Sequence, residues 1–202
     1  MMKADSESRQ PLLLAIRKGQ IDVIKTLLQN GVDANTKGDD GLTSLHYAGI
    51  YGKVEVARFL VSQGANVNAK NNNDRTPLHL AVIHKKNETV KCLIILGADI
   101  DVKDTDGKTP LDWAIERNNV EVARFLISNG ADVHAKDEYG KTRLHRAAER
   151  EDSDIVRIQC LVAIGADVNG RDNDDCTPLD YATEREDAEI IEYLSSIADC
   201  QA

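Results

Sequence analysis

The chain has 202 residues, of which 42% are hydrophobic and 29% charged, a composition typical of a folded chain and not of a disordered one. Its 25 lysines and arginines face 34 aspartates and glutamates, so the net charge is −9, which argues against binding to nucleic acid or to an anionic membrane. No apolar run approaches the roughly 20 residues of a membrane-spanning helix, and no secretory signal is visible at the N-terminus.

A sequence repeat with a period of 33 residues runs along the chain. One marker is the residue before a recurring leucine, found at Pro11, Ser44, Pro77, Pro110, Arg143 and Pro178. A second marker is a glycine, found at Gly31, Gly64, Gly97, Gly130 and Gly165. Both series share one longer step of 35 residues, which indicates a two-residue insertion in the fifth unit.

The unit that begins at Asp104 illustrates the predicted elements. Thr109 and Pro110 suit the start of a first helix, because threonine caps free amides and proline fits the first turn. Apolar residues then recur at helical spacing, at Leu111, Ala114 and Ile115. A second apolar series predicts a second helix that ends before Gly130: Val120, Val122, Ala123, Leu126 and Ile127. One such helix pair cannot bury its apolar surface alone, so its stability must come from stacked neighbours.

The units resemble the ankyrin repeat, as two segments show: DGLTSLHYAGIYGKVEVARFLVSQGANVNAK from Asp40 and DGKTPLDWAIERNNVEVARFLISNGADVHAK from Asp106. The resemblance covers about residues 6 to 198 and implies an all-α ankyrin-repeat solenoid, with about six 33-residue helix-turn-helix units and short β-finger loops. We expect a single, capped domain over residues 1–202, with repeats near 6–37, 38–70, 71–103, 104–136, 137–171 and 172–202.

The units depart from their own pattern at two kinds of turn. The glycine between the paired helices, present at Gly19 and Gly52, is replaced at Lys85, Asn118, Glu151 and Glu186. The finger glycine is replaced at Asp74 and Asp175. If these positions keep a positive φ, each residue other than glycine carries some strain there, which asparagine and aspartate tolerate best. For the insertion we expect a bulge or a longer second helix around Arg157–Gln159; the alternatives are a longer turn at Glu151–Ser153 or an insertion without a functional role.

Candidate residues for chemistry are few. The resemblance implies that His46, His79 and His145 hydrogen-bond backbone between repeats, and that Asn35, Asn68 and Asn169 brace loops or, in eukaryotic relatives, become hydroxylated. The four cysteines, at 92, 160, 176 and 200, lack metal-site spacing and are expected to be free thiols of a reducing compartment. The acidic group at Asp172, Asp174 and Asp175 lacks a complete calcium loop. We therefore predict no cofactor, no metal and no enzyme activity.

The resemblance implies a binding face made of the finger tips and the exposed ends of the first helices. Carried onto this chain, its predicted members are Leu42, Ile50, Tyr51, Arg75, Ile83, His84, Lys108, Glu116, Arg117, Tyr139, Lys141, Glu149 and Arg150. Repeats two and three contribute mainly apolar members, and repeats four to six contribute a series of Glu-Arg pairs that includes Glu184 and Arg185. Partial burial between repeats and a solvated charged face are the structural alternatives. Trp113 is read as a packing residue first and a binding anchor second.

The predicted function is a non-catalytic scaffold module that binds an unidentified partner protein through this concave face. Two alternatives are a microbial effector or inhibitor that binds a host protein, and a sensor of a small molecule or peptide. We expect a monomer in the cytoplasm, or in the host cytosol for an effector, with no nucleic acid or membrane as partner. The sequence leaves open the partner, the source organism and any cation at the acidic fingers.

Overall fold

The computed structural model describes residues 4–150 and 154–198, with side chains from residue 10 onward. Twelve helices lie within these ranges: α1 Ala4–Lys18, α2 Ile21–Gln29, α3 Ser44–Tyr51, α4 Val54–Ser62, α5 Pro77–Ile83, α6 Asn87–Ile95, α7 Pro110–Glu116, α8 Val120–Ser128, α9 Arg143–Glu149, α10 Ile155–Ala163, α11 Pro178–Glu184 and α12 Ala188–Ala198. The described part contains no strand, so the finger loops are hydrogen-bonded turns. The predicted all-α repeat fold is confirmed.

The helices group into two compact units, residues 1–117 and 118–202. In the first unit, the first helices of successive repeats, α1, α3, α5 and α7, pack side by side, and α2, α4 and α6 pack against their own partners and against each other. In the second unit, α9 packs on α11 and α10, and α12 packs on α11 and α10. The organisation as a single domain stays a prediction.

Threonine caps and buried leucines explain why each first helix forms where it does. Thr76 and Thr109 are extended N-cap residues whose hydroxyl oxygens accept from the third amide of α5 and α7, and proline follows each of them. The leucine two residues after each N-cap threonine is fully buried, at Leu45, Leu78, Leu111 and Leu144. An alanine that recurs at one position of each first helix is buried as well: Ala15, Ala48, Ala81, Ala114, Ala147 and Ala182.

Close approach of α3 and α5 depends on Gly49. A Cβ added there would lie 2.8 Å from the carbonyl oxygen of Pro77, which is backbone and cannot move aside cheaply. We expect Gly49→Ala to lower the free energy of unfolding by about 1–3 kcal/mol, as overpacked core sites do. Urea denaturation measures this value. A gain in stability, the usual sign for glycine to alanine inside a helix, would show that the two helices separate easily.

Residues other than glycine occupy left-handed turns at the positions where the repeat glycine is replaced. The angle φ is 54° at Lys85, 51° at Asn118 and 58° at Glu186, and it is 55° and 64° at the finger positions Asp74 and Asp175. Glu151 lies outside the described residues. The backbone of the repeat is therefore kept even where a Cβ makes it unfavourable.

Removal of the backbone strain at Lys85 gives another testable prediction. Lys85→Gly should raise the free energy of unfolding by about 0.5–1 kcal/mol, because the Cβ penalty at φ 54° exceeds the entropy that glycine adds to the unfolded chain. Lys86→Gly is the matched control, since φ is −95° there and the same change should destabilise. Thermal and urea unfolding of both variants measure the two shifts. Equal losses would mean that Lys85 is not strained.

The two-residue insertion does not lengthen a helix. The second helix α10 has 9 residues, the same as α4, α6 and α8, so the expected bulge or extension around Arg157–Gln159 is wrong. The physical reason is the apolar face of α10. Ile158 and Leu161 are buried at the same distances from the following Gly165 as Val90 and Leu93 are from Gly97.

The extra residues lie in the connection before α10. The helix α9 ends at Glu149 and α10 begins at Ile155, whereas α5 ends at Ile83 and α6 begins at Asn87. An exposed connection tolerates added residues better than a helix whose register is fixed by burial. The alternative of a longer turn at Glu151–Ser153 falls outside the described residues.

Candidate functional site

Buried histidines hold the finger loops in place. The Nδ1 atom of His46 lies 3.1 Å from the amide of Thr43 and accepts its hydrogen bond, so Nε2 carries the proton and donates to the Arg75 carbonyl at 3.0 Å. His79 reaches the Lys108 carbonyl at 3.2 Å, and His145 reaches the Cys176 carbonyl at 3.0 Å. The predicted hydrogen bonds between repeats are confirmed. Their acceptors include Arg75 and Lys108, two predicted members of the binding face.

An indole ring is the centre of the charged cluster in the first unit. The guanidinium of Arg75 lies 4.7 Å from the Trp113 ring centroid and the ammonium of Lys108 lies 4.6 Å from it. Arg75 also donates to Asp104 at 3.0 Å, and Lys108 pairs with Glu116 at 2.6 Å. Three predicted site residues therefore form one network around a ring that the sequence indicated as a packing residue first and a binding anchor second.

Asp104 organises this cluster from beneath. It is buried, and its carboxylate accepts from the Trp113 indole at 3.0 Å and from the amides of Asp106 and Lys108. Burial alone would raise the pKa of Asp104, but the hydrogen bonds from Arg75, the Lys108 amide and Trp113 outweigh it and hold the pKa below its ordinary value. Asp104 therefore stays ionised and fixes both the finger and the ring.

The second unit builds a related cluster with different side chains. Lys141 pairs with Glu149 at 2.6 Å and its ammonium lies 4.3 Å from the Tyr181 ring centroid. The Tyr181 hydroxyl donates to buried Asp172 at 2.6 Å. The hydrogen bond from Lys141 lowers the pKa of Glu149, and the hydrogen bond from Tyr181 lowers the pKa of Asp172. A finger lysine, a helix-end glutamate and an aromatic ring thus recur as a group.

Tyr139 is the most exposed aromatic member of the predicted face, with 56% of its surface accessible. The guanidinium of Arg146 lies 5.5 Å from its ring centroid, donates to Asp137 at 2.7 Å and also bonds Glu149 at 2.9 Å. Burial would raise the pKa of Asp137, but the bonds from Arg146 and from finger amides lower it. The Tyr139 ring is therefore held by the Arg146 guanidinium, whose own position is fixed by Asp137 and Glu149.

The apolar members of the face lie on α3, α5 and the loop before α3. Leu42, Ile50 and Ile83 are half-buried, and Tyr51 is 37% exposed. The Tyr51 ring stacks on Tyr47 with centroids 6.3 Å apart. The predicted alternative of partial burial therefore describes three of these positions, and Tyr51 offers the larger open surface.

Two glutamates of the predicted Glu-Arg series are held by finger lysines. Glu116 bonds Lys108 and Glu149 bonds Lys141, because each lysine lies beside the helix end of its own repeat. Arg117 is exposed with its guanidinium 6.0 Å from the Trp113 ring centroid. Arg150 and His84 are also exposed. Arg185 donates to the Glu149 carbonyl at 3.0 Å.

Sequence reasoning missed the aspartates that organise both clusters. Asp104, Asp137 and Asp172 each lie nine residues before the side chain that donates to them, which is Trp113, Arg146 or Tyr181. The nine-residue spacing, repeated in three units, is the signal that could have revealed them.

Other candidate groups show no chemistry in the described residues. No cluster of three histidine, cysteine, aspartate or glutamate side chains there is arranged to hold a metal ion. Cys92 and Cys160 are buried free thiols, Cys176 is a half-buried one, and Cys200 lies outside the described range. No helix in that range is long and apolar enough to cross a membrane.

The predicted loop-bracing asparagines are in place at two of the three positions. The side-chain nitrogen of Asn35 donates to the Gly64 carbonyl at 3.0 Å, and its side-chain oxygen accepts from the backbone amide of Asn66 at 2.8 Å. Asn68 repeats the pattern one unit later, with an accepted bond of 2.8 Å from the Asp99 amide. These bonds join the loops of neighbouring repeats, whether or not any asparagine is modified.

Comparison with known families agrees with this geometry. The family model described as ankyrin repeats (3 copies) matches residues 1–71, 67–137 and 134–202. The chain belongs to the ankyrin-repeat family. Ankyrin repeats are protein-interaction modules and are generally not catalytic, so the coarse functional class follows from the family.

Two curated relatives match short segments of the chain. An ankyrin repeat protein of fowlpox virus (strain NVSL) is 63% identical over 38 residues, which is 19% of this chain and 27% of that protein. The apicidin F cluster transcription factor of Gibberella fujikuroi is 41% identical over 46 residues, which is 23% of this chain and 12% of that protein. The match thus spans only 27% and 12% of the length of these relatives.

A solved structure is similar over almost the whole length. It is a chain from the complex of the predatory endopeptidase Bd0816 of Bdellovibrio bacteriovorus with the immunity protein Bd3460. The TM-score is 0.71 and the identity 28%, over 92% of this chain and 97% of that chain. The similarity supports the assigned all-α repeat fold.

Proposed function

We propose that this ankyrin-repeat chain is a non-catalytic module that binds a partner protein through its finger tips and first helices. One observation carries the proposal. In each unit an exposed tyrosine of this face has a guanidinium over its ring: Arg17 at 6.0 Å from Tyr51, and Arg146 at 5.5 Å from Tyr139. Aromatic rings whose position is already fixed lose little entropy on binding and are the commonest anchors of protein interfaces.

The surrounding network supports the same reading. Lys108 and Lys141 are each held by a helix-end glutamate and an aromatic ring, so the finger loops are ordered before any partner arrives. Order in the free state reduces the cost of association. We expect the chain to act without a cofactor and as a monomer in the cytoplasm.

The test is affinity capture followed by mass spectrometry, with two double variants beside the wild type. Tyr51→Ala with Tyr139→Ala removes one exposed ring from the proposed face in each unit. Ile95→Ala with Val156→Ala is the matched control, because these side chains are 69% and 40% exposed on second helices. A partner that survives the control but weakens about tenfold or more in the tyrosine variant supports the proposal. The reverse pattern moves the site to the second helices.

A second candidate is an inhibitor that binds and blocks an enzyme, as one form of the effector or inhibitor alternative. The similarity to a chain from an endopeptidase complex with an immunity protein favours it. The test adds the chain in equal amounts to the purified Bd0816 endopeptidase and measures both complex formation and cleavage. Co-elution with loss of cleavage supports the candidate, and free endopeptidase with full activity rejects this enzyme as its target. A ligand sensor has no observation in its favour.

A further inference from the structure

Charge is distributed unevenly between the two compact units. Residues 1–117 contain sixteen lysines and arginines against fifteen aspartates and glutamates, a net charge of +1. Residues 118–202 contain nine against nineteen, a net charge of −10. The acidity of the chain therefore belongs to the second unit, and the first unit has cations available for another role.

Several of these cations line the turns that join the paired helices of the first unit. We call this set the basic turn row, and its members are Lys18, Lys53, Lys85, Lys86 and Arg117. A Cβ placed at Gly19 would be 3.8 Å from Cδ of Lys53, and one at Gly52 would be 2.9 Å from Cδ of Lys86. The stems of Lys53 and Lys86 thus lie over the turns of the preceding repeats, and these two residues connect the row from one repeat to the next.

The basic turn row has no anionic partner among the residues whose side chains the structure describes. Ion pairs in the first unit occupy other cations, at Lys70, Arg75, Lys91 and Lys108. The acids nearest to the row in sequence are Asp22, Glu55 and Glu88, each in the first turn of a second helix, and Glu116 at the end of α7; Glu88 pairs with Lys91 and Glu116 pairs with Lys108. The row therefore keeps a surplus of positive charge.

Apolar surface adjoins the row at the ends of α3 and α5. Tyr51 is the last residue of α3, directly before Gly52 and Lys53, and Ile83 is the last residue of α5, two positions before Lys85. Both belong to the binding face of the proposed function. A partner segment that contacts Tyr51 must pass beside the cations of the row.

We infer that the partner presents to this face an acidic peptide segment that also carries an aromatic or aliphatic side chain. The inference rests on the proposed function and names the chemistry of its partner. Aspartate and glutamate of the segment pair with the basic turn row, and the apolar side chain packs on Tyr51 and Ile83. Complementary charge of this kind steers association and sets register.

A peptide fits the observations better than the other common polyanion, a nucleic acid. The row has five cations, but the first unit as a whole carries only +1, so it lacks the strongly basic surface on which binding of a polyphosphate depends. A short acidic segment carries less charge and gains from the apolar contact. Nucleic acid is accordingly an outcome of the test and not part of the inference.

The test pans a phage-displayed library of random dodecapeptides on the full chain. The selected peptides, synthesised with a fluorophore, are then titrated by fluorescence anisotropy. The variant Lys53→Glu with Lys86→Glu reverses two charges of the row. Lys25→Glu with Arg58→Glu makes the same charge change at exposed positions on the second helices α2 and α4, away from the row. We expect acidic peptides with an aromatic or aliphatic residue, affinity that falls with salt, a loss of about tenfold or more in the row variant and less than twofold in the control.

Several results would overturn the inference. They are selection of neutral or basic peptides, no selection at all, equal affinity for the row variant and wild type, and tighter binding of a single-stranded dodecathymidylate than of any selected peptide. Each leaves the proposed function standing if the tyrosine variant still loses its captured partner. The proposed function itself fails if the tyrosine variant captures the same partner as strongly as the wild type does.

Discussion

Replacement of His46 by alanine is expected to lower the free energy of unfolding by about 3–4 kcal/mol. The side chain is fully buried and joins two repeats, since Nδ1 accepts from Thr43 and Nε2 donates to the Arg75 carbonyl. Alanine leaves a buried amide, a buried carbonyl and a cavity. Stability in a repeat array depends on contacts between neighbours, so the loss should spread beyond one helix. Urea denaturation followed by circular dichroism measures it.

His46→Asn separates the two parts of this effect. Asparagine keeps an acceptor for the Thr43 amide, as aspartate does for Thr109 at the equivalent Asp112, but it is too short to reach the Arg75 carbonyl. We expect about half of the loss that alanine causes. Equal losses for both variants would assign the stability to the bond between repeats alone, and no loss for alanine would contradict the role of His46.

Acid should destabilise the chain in two pH ranges, and the first comes from histidine. Burial lowers the pKa of His46 to about 4, and burial also lowers the pKa of His79. Because the folded pKa lies below the unfolded value near 6.5, the stabilising contribution is complete above pH 6.5 and is lost as the pH falls toward 4. For His46 alone, the change from pH 7 to pH 5 is about 2 kcal/mol.

The second range lies below pH 4 and comes from the finger aspartates. The pKa values of Asp104, Asp137 and Asp172 are lowered, so their contribution is present above the unfolded pKa and is lost as the pH falls through the folded values. Urea midpoints measured from pH 7 to pH 3 should show both declines. In His46→Asn the decline between pH 7 and pH 5 should shrink by about 2 kcal/mol, and an unchanged profile would contradict the assignment to this histidine.

The sequence predicted the fold because its signals are local and repeated. The 33-residue period, the Thr-Pro helix starts and the buried alanine at one position of every unit were all readable, and so were the left-handed turns at Lys85 and Asn118. Each of these depends on backbone geometry that neighbouring repeats share. An atypical residue in one unit therefore does not change the predicted fold, because the other units show the same pattern.

The site was less predictable because it depends on which of several charged side chains meet. The series of adjacent glutamates and arginines could be read from the sequence, but not that Glu116 and Glu149 each bond a lysine eight residues earlier. The insertion was misplaced for a related reason. Two helix registers were possible from the apolar pattern, and only packing selects the one that buries Ile158.

The finger aspartate has a consequence for protein design. At Asp104, Asp137 and Asp172 the finger carboxylate accepts a hydrogen bond from tryptophan, arginine or tyrosine, three side chains that differ in size, charge and polarity. The carboxylate requires only a donor group within hydrogen-bonding distance, so the rest of the donor side chain can vary. Positions 113, 146 and 181 are therefore natural points of diversification, where a library could exchange recognition chemistry while the scaffold beneath stays constant.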